Sequence, residues 1–169
     1  MLSTPEIEQR SEQPYAAITT TAAMGRIGEV ASPLIGDVFA WLGSHGIEPA
    51  GPPLFRYLAI DMERELELDV GVPVAQPVPA DGRVRARSLP AGTYVTAVYT
   101  GPYDGLREAT AELLAWAEQN GVVWDSEPRA EGGETWGARV EFYLTDPEEQ
   151  PDSSTWETLL AFQARSVQS

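Results

Sequence analysis

Few side chains in this sequence can do chemistry, and most of the usual ones are missing. There is no Cys, there is one His (His45), and all 11 basic side chains are Arg. Thiolate, multi-histidine and Schiff-base chemistry therefore have no residues to carry them. No G-x-S-x-G stretch occurs, so the common nucleophile–base pairs also lack parts. What remains is carboxylate and aromatic. Asp and Glu number 26, and Phe55, Tyr57, Tyr99, Trp136 and Tyr143 fall in strand-like stretches, with Trp124 nearby. These rings could line a cleft or form ordinary core. Tyr103 follows a Gly-Pro turn and could close such a cleft or staple a helix start. His45 is expected in the last turn of a helix, where a cation suits the helix dipole. A carboxylate in such surroundings can hold a cation or move a proton to or from water, the latter contributing about 10²–10⁴-fold.

Those residues need elements to position them, and the clearest run is Leu89–Trp116. Thr93–Thr100 alternates, with Tyr94, Thr96, Val98 and Thr100 on one face and Val95, Ala97 and Tyr99 on the other. Gly101-Pro102 ends the strand, Asp104 is the expected N-cap, and Leu106, Ala109, Leu113 and Ala117 repeat at helical spacing. Gly121 supplies the stop.

The remainder reads as a second copy of this unit. Pro14–Ala22 is a strand; Ser32 and Pro33 suit the start of a helix carrying Leu34, Val38, Trp41 and Leu42, and Gly46 ends it. Leu54–Ile60 is a strand. Glu65–Val74 alternates Glu65, Glu67 and Asp69 outward with Leu66, Leu68 and Val70 inward. Arg83, Arg85 and Arg87 alternate as a solvated strand edge would. Trp124–Gly133 reads as a loop and Thr135–Leu144 as a strand. The last segment, Thr155–Arg165, admits two readings. Ser154 with Glu157 fits a capping box, while Trp156, Thr158, Leu160 and Phe162 alternate as a strand face. The strand is preferred because it completes the duplication. Trp41 with Gly46 and Trp116 with Gly121 close the two helices at the same separation. The expected architecture is α+β: duplicated βαββ units with pseudo-twofold symmetry, whose antiparallel sheets form a central ligand groove. Residues 1–13 are expected to be a flexible lead-in. One domain fills 14–169, with repeat one at 14–74, a linker at 75–88 and repeat two at 89–165.

The net charge of −15 argues against direct nucleic-acid binding, which needs a basic surface. No stretch is long and apolar enough for a membrane span, and the start has no signal-peptide pattern, so a cytoplasmic location is expected.

The run Leu89-Pro90-Ala91-Gly92-Thr93-Tyr94, then Tyr99-Thr100-Gly101-Pro102-Tyr103-Asp104-Gly105-Leu106, resembles the gyrase-inhibitor-like small-molecule-binding domains. That family includes effector-binding domains of bacterial transcription activators. Gly51-Pro52-Pro53 with Tyr57, the stretch Asp69–Val74 and the stretch Glu141–Pro147 resemble further family segments, so the likeness runs from Pro14 to Arg165. It implies a groove that receives bulky, often cationic, aromatic compounds around a central acid, which by motif position is Glu141. Phe55, Tyr57, Tyr99, Tyr103, Trp124, Trp136 and Tyr143 are then the candidate lining. Neither metal nor organic cofactor is implied. Two departures stand out. Leu159 occupies a position where the family often has an acid, and 13 residues ahead of the first strand leave no room for a DNA-binding module, so a stand-alone domain is expected.

The resemblance implies a binder that senses or sequesters hydrophobic or cationic aromatic small molecules. The alternative is a cofactor-free hydrolase of strained electrophilic natural products, with Glu141 as general acid or base and Tyr143 or Tyr57 donating a hydrogen bond. A protein partner, as in relatives that inhibit a topoisomerase, is compatible with the acidity but has no motif behind it.

Overall fold

The computed structural model describes residues 1–167; residues 168–169, the end of the range expected to form the domain, lie outside the described residues. In chain order the elements are β1 (Glu6–Arg10), β2 (Gln13–Ala22), α1 (Ile27–Ser44), β3 (Leu54–Ile60), β4 (Leu66–Pro73), β5 (Val84–Leu89) and β6 (Gly92–Thr100). Then come α2 (Leu106–Gln119), β7 (Val122–Trp124), β8 (Ser126–Pro128), β9 (Glu134–Trp136), β10 (Arg139–Tyr143) and β11 (Glu157–Val167). The fold is α+β, as expected. Every strand pairing is antiparallel, and the main path across the sheet runs β1-β6-β11-β10-β3-β4-β2-β5. Around the β3·β10 seam the order is symmetric in rank, since each side reads middle, last and first strand of a strand–helix–strand–strand set. Backbone pairing of Val140 with Arg56 and of Glu141 with Phe55 joins the two sides into one continuous sheet.

Both helices lie on one face. The α1 helix packs on β4 and β2, and α2 on β6 and β7, so β3 and β10 run between them. The core under the helices joins Ile27 and Ala31 of α1 to Ala109 and Leu113 of α2 through Phe55, Leu68, Val95, Leu160 and Phe162. The opposite face has its own cluster, centred on Tyr15, Tyr94, Val140 and Phe142.

Local outcomes differ from the sequence expectations where tertiary burial or long-range pairing dominates. The α1 helix starts at Ile27, not Ser32, and carries Pro33 inside it. Burial of Ile27 and Ala31 against the sheet draws the earlier turns into the helix, offsetting a proline cost of about 3 kcal/mol. Asp104 caps nothing; a 3₁₀ turn at Tyr103–Gly105 precedes α2. The helix stops hold, with Gly46 at φ 67° and Gly121 at φ 71°, the left-handed conformation that a Cβ disfavours. Thr135–Leu144 is divided into β9 and β10 by Gly137 and Ala138, where Gly137 N donates to Asp125 O at 2.7 Å. The last segment is a strand: β11 lies between β10 and β6, deep in the sheet. The expected lead-in contains β1, paired along the edge of β6. The expected linker contains β5, which forms the other edge and carries Arg85 and Arg87.

Candidate functional site

Alternation along β10 decides what faces the strip between the helices. Arg139, Glu141 and Tyr143 project toward the helices, while Val140 and Phe142 join the opposite cluster. Across the seam Phe55 lies opposite Glu141, and Tyr57 lies on the same face two residues on. Glu141 is only 8 % exposed. Its Oε1 accepts hydrogen bonds from the Tyr143 hydroxyl at 2.7 Å and the Tyr57 hydroxyl at 3.1 Å. Both phenols use the same oxygen, and no described residue donates to Oε2.

Burial raises the Glu141 carboxyl above its ordinary value, against the opposing pull of the Tyr143 and Tyr57 hydrogen bonds and the Arg139 charge. Desolvation, and then the neighbouring Glu141 charge, push both phenols well above the usual tyrosine range. They therefore remain donors wherever the carboxyl titrates. The raised carboxyl makes folding favour its protonated form. Below the ordinary carboxyl value both folded and unfolded chains are protonated and no penalty applies; as pH rises from there to the folded value, stability falls. Glu141→Gln is therefore expected to melt above wild type at pH 7.5, with the gap narrowing as pH falls toward 4. A gap that stays constant between these pH values, read by calorimetry, would show that Glu141 titrates as it does in the unfolded chain.

The rings on this face fall into two groups, one beside Glu141 and one beside Arg139. Phe55 meets Tyr143 edge-on at 4.9 Å between centroids, Tyr103 meets Tyr143 at 5.5 Å, and Trp156 joins Tyr103 at 4.8 Å. The second group comprises Trp124, Trp136 and Phe162, with centroids 5.6–5.9 Å apart. The Arg139 guanidinium sits 4.9 Å from the centroids of both Trp136 and Phe162. Such contacts contribute about 0.5–2 kcal/mol each, less than the several kcal/mol that removing a charge from water costs. Desolvation accordingly lowers the Arg139 pKa, while Glu141 pulls it back up.

Seven of the eight sequence candidates thus fall into two adjoining groups on the helix-bearing face: Glu141, Tyr143, Tyr57, Phe55 and Tyr103 in one, Trp124 and Trp136 in the other. Tyr99 is on the same face but has a different task. Its hydroxyl donates to Pro102 O at 2.8 Å and packs so closely on the turn that a Cβ at Gly105 would overlap it. Tyr99 therefore locks the strand-to-helix turn. Leu159 packs with the opposite cluster, so an acid there would not share a face with Glu141. Arg139, Phe162 and Trp156 are not among the lining residues expected from the sequence. Parity along β10 was the available signal for Arg139, because it places residues 139, 141 and 143 on one face. Phe162 needed the β11 register, which pairs Leu160 with Glu141.

The model of the GyrI-like small-molecule-binding domain family matches residues 3–164. Among solved structures, the EcmrR C-terminal domain has 20% identity and a TM-score of 0.76, covering 97% of this chain and 98% of that one. The same protein in complex with DNA is longer, and this chain spans 57% of it. SAV2435 bound to tetraphenylphosphonium has 10% identity and a TM-score of 0.62, covering 97% and 95% of the two chains. A hydrolase from Listeria innocua has 16% identity and a TM-score of 0.57, covering 95% and 91%. No curated protein sequence matches the chain. Among the described residues no helix is long and apolar enough to cross a membrane.

Proposed function

Because the chain belongs to the family of GyrI-like small-molecule-binding domains, we propose that it binds bulky hydrophobic or cationic aromatic small molecules between its helices, with Glu141 as the polar anchor, to sense or sequester them. The observation that carries this reading is the state of Glu141. An acid 8 % exposed, held by two phenols through one oxygen, keeps its other oxygen free of intramolecular partners amid Phe55, Tyr57, Tyr103 and Tyr143. A buried carboxylate left in that condition is costly, and a bound cation or donor would offset the cost. The tetraphenylphosphonium seen on SAV2435 is a compound of the kind such a site accepts.

The protein's five Trp residues provide the readout. Titration with a lipophilic aromatic cation is expected to give saturable quenching, weakened at least tenfold, about 1.4 kcal/mol, by Glu141→Gln. Equal affinity of wild type and variant would remove Glu141 as anchor.

A second reading, hydrolysis of strained electrophilic natural products, is favoured by the same free Oε2, which can take a proton from water while Tyr143 and Tyr57 hold the other oxygen. The hydrolase among the structural neighbours is consistent with it. Turnover that disappears in Glu141→Gln while binding persists is the expected signature; retained turnover would exclude Glu141 from catalysis.

A further inference from the structure

Beside the Glu141 anchor lies a charge that it feels but does not pair with. Arg139 is two residues from Glu141 on the same face of β10, roughly 7 Å along the strand. The residue lines an open cavity of about 360 Å³ together with Trp124, Trp136, Leu114, Glu118 and Glu134. A guanidinium has five N–H donors, yet here it makes no hydrogen bond and no ion pair with any described residue. None of its nitrogens is among the buried side-chain atoms left without a partner in the described residues, so they are not sealed in the core. Glu134 is close enough for its charge to be felt, but its Oε1 takes a hydrogen bond from Trp136 Nε1 at 2.9 Å. The aromatic faces of Trp136 and Phe162, where a cationic ligand would sit, are already occupied by the protein's own cation.

We infer that Arg139 sets the ligand class of this site: it disfavours cations and selects neutral aromatic compounds bearing a strong hydrogen-bond acceptor, such as a carbonyl or phosphoryl oxygen, that meets the guanidinium in the cavity. A ligand cation near Arg139 meets a like charge and an occupied ring pair. A full anion meets Glu118 and Glu134 at the cavity wall. A neutral acceptor engages the uncommitted N–H groups and meets neither obstacle. Arg is suited to this task because its planar fork can stack on rings and donate in its plane at the same time.

This inference rests on the proposed groove and narrows its ligand. The test compares triphenylphosphine oxide, neutral with one strong acceptor oxygen, and tetraphenylphosphonium, a cation of similar shape, by calorimetry and Trp quenching on the full chain. Wild type is expected to bind the oxide at least tenfold more tightly than the phosphonium. Arg139→Met, which keeps a long side chain against the rings, is expected to weaken the oxide about tenfold and to tighten the phosphonium. Arg139→Lys is expected to keep the cation disfavoured but to weaken the oxide, because the charge stays while the planar donor fork is lost. A wild type that prefers the phosphonium, or binds both equally, overturns the inference even if no variant folds. So does an unchanged ratio in folded Arg139→Met. If Glu141→Gln weakens the phosphonium while Arg139→Met alters nothing, the groove stands and only the selectivity role fails. If wild type binds neither probe, the groove reading and this inference fall together.

Discussion

Asp69→Ala is expected to lower the unfolding free energy by about 3–5 kcal/mol, among the largest effects available from a single polar side chain here. Asp69 is fully buried, on the face of the sheet opposite the helices. Its Oδ2 accepts from the Tyr15 hydroxyl at 2.6 Å and its Oδ1 from the Thr19 hydroxyl at 2.6 Å. Arg87 Nε stands 3.3 Å from Oδ2, within ion-pair distance but not aligned as a hydrogen bond. The Arg56 guanidinium donates to Tyr15 Oη at 3.1 Å, to Ser88 O at 3.0 Å and to Gly137 O at 2.5 Å, so the network reaches from β5 to the connection between β9 and β10. Removing the carboxylate leaves the buried Tyr15 hydroxyl without its acceptor, and each such orphaned group costs about 1–3 kcal/mol. Burial and then the Asp69 charge already raise the Tyr15 hydroxyl far above the usual tyrosine range, so it cannot ionise to escape. Urea unfolding is expected to show a lower midpoint at unchanged slope. Adding Tyr15→Phe to Asp69→Ala should cost less than the sum of the two, because the second change removes the orphan that the first created. A loss below 1 kcal/mol for Asp69→Ala, or strict additivity, would mean that water accepts the Tyr15 proton in place of the carboxylate and that the network contributes little.

Asp69 also shows what kind of information the sequence holds. The alternation of Glu65, Glu67 and Asp69 against Leu66, Leu68 and Val70 assigns the two faces of β4 correctly, because period two is a local property of an extended chain. Exposure is not local. Glu65 and Glu67 are exposed, whereas Asp69 is covered by Tyr15, Thr19 and Arg87 from β2 and β5. The same division runs through the candidate site. Faces were legible: Glu141 with Tyr143, and Phe55 with Tyr57, follow from parity. Helix stops were legible too, because the left-handed conformation at Gly46 and Gly121 depends on one residue type. Capping was less so, since Ser32 and Asp104 have the right chemistry but burial of Ile27 and an intervening 3₁₀ turn moved the helix starts. Arg139 was overlooked because its significance lies in the partners it does not have, and those are visible only once strands distant in sequence are side by side. Tyr99 shares the face of Glu141 and Tyr57, but its hydroxyl is held by a turn three residues away.

Phe162→Ala is expected to cost about 3–5 kcal/mol in stability, the range for deleting a fully buried ring, and to disturb the proposed ligand site at the same time. Phe162 is 1 % exposed in β11, between β10 and β6, so no edge can relax inward to fill the space. It is also one of the two rings beneath Arg139, with Trp136 and Trp124 packed at 5.9 Å. Loss of fold and loss of site can be separated with Phe162→Leu, which keeps most of the apolar volume and so should cost about 1–2 kcal/mol while removing the ring face. A cycle combining Phe162→Leu with Arg139→Met then isolates the cation–ring contact, expected at about 0.5–2 kcal/mol. A coupling near zero would mean that Trp136 alone steadies the guanidinium. A coupling in the expected range would tie the centre of the sheet to the charge beside Glu141: the residue that fills the core would then also hold the cation proposed to meet the ligand.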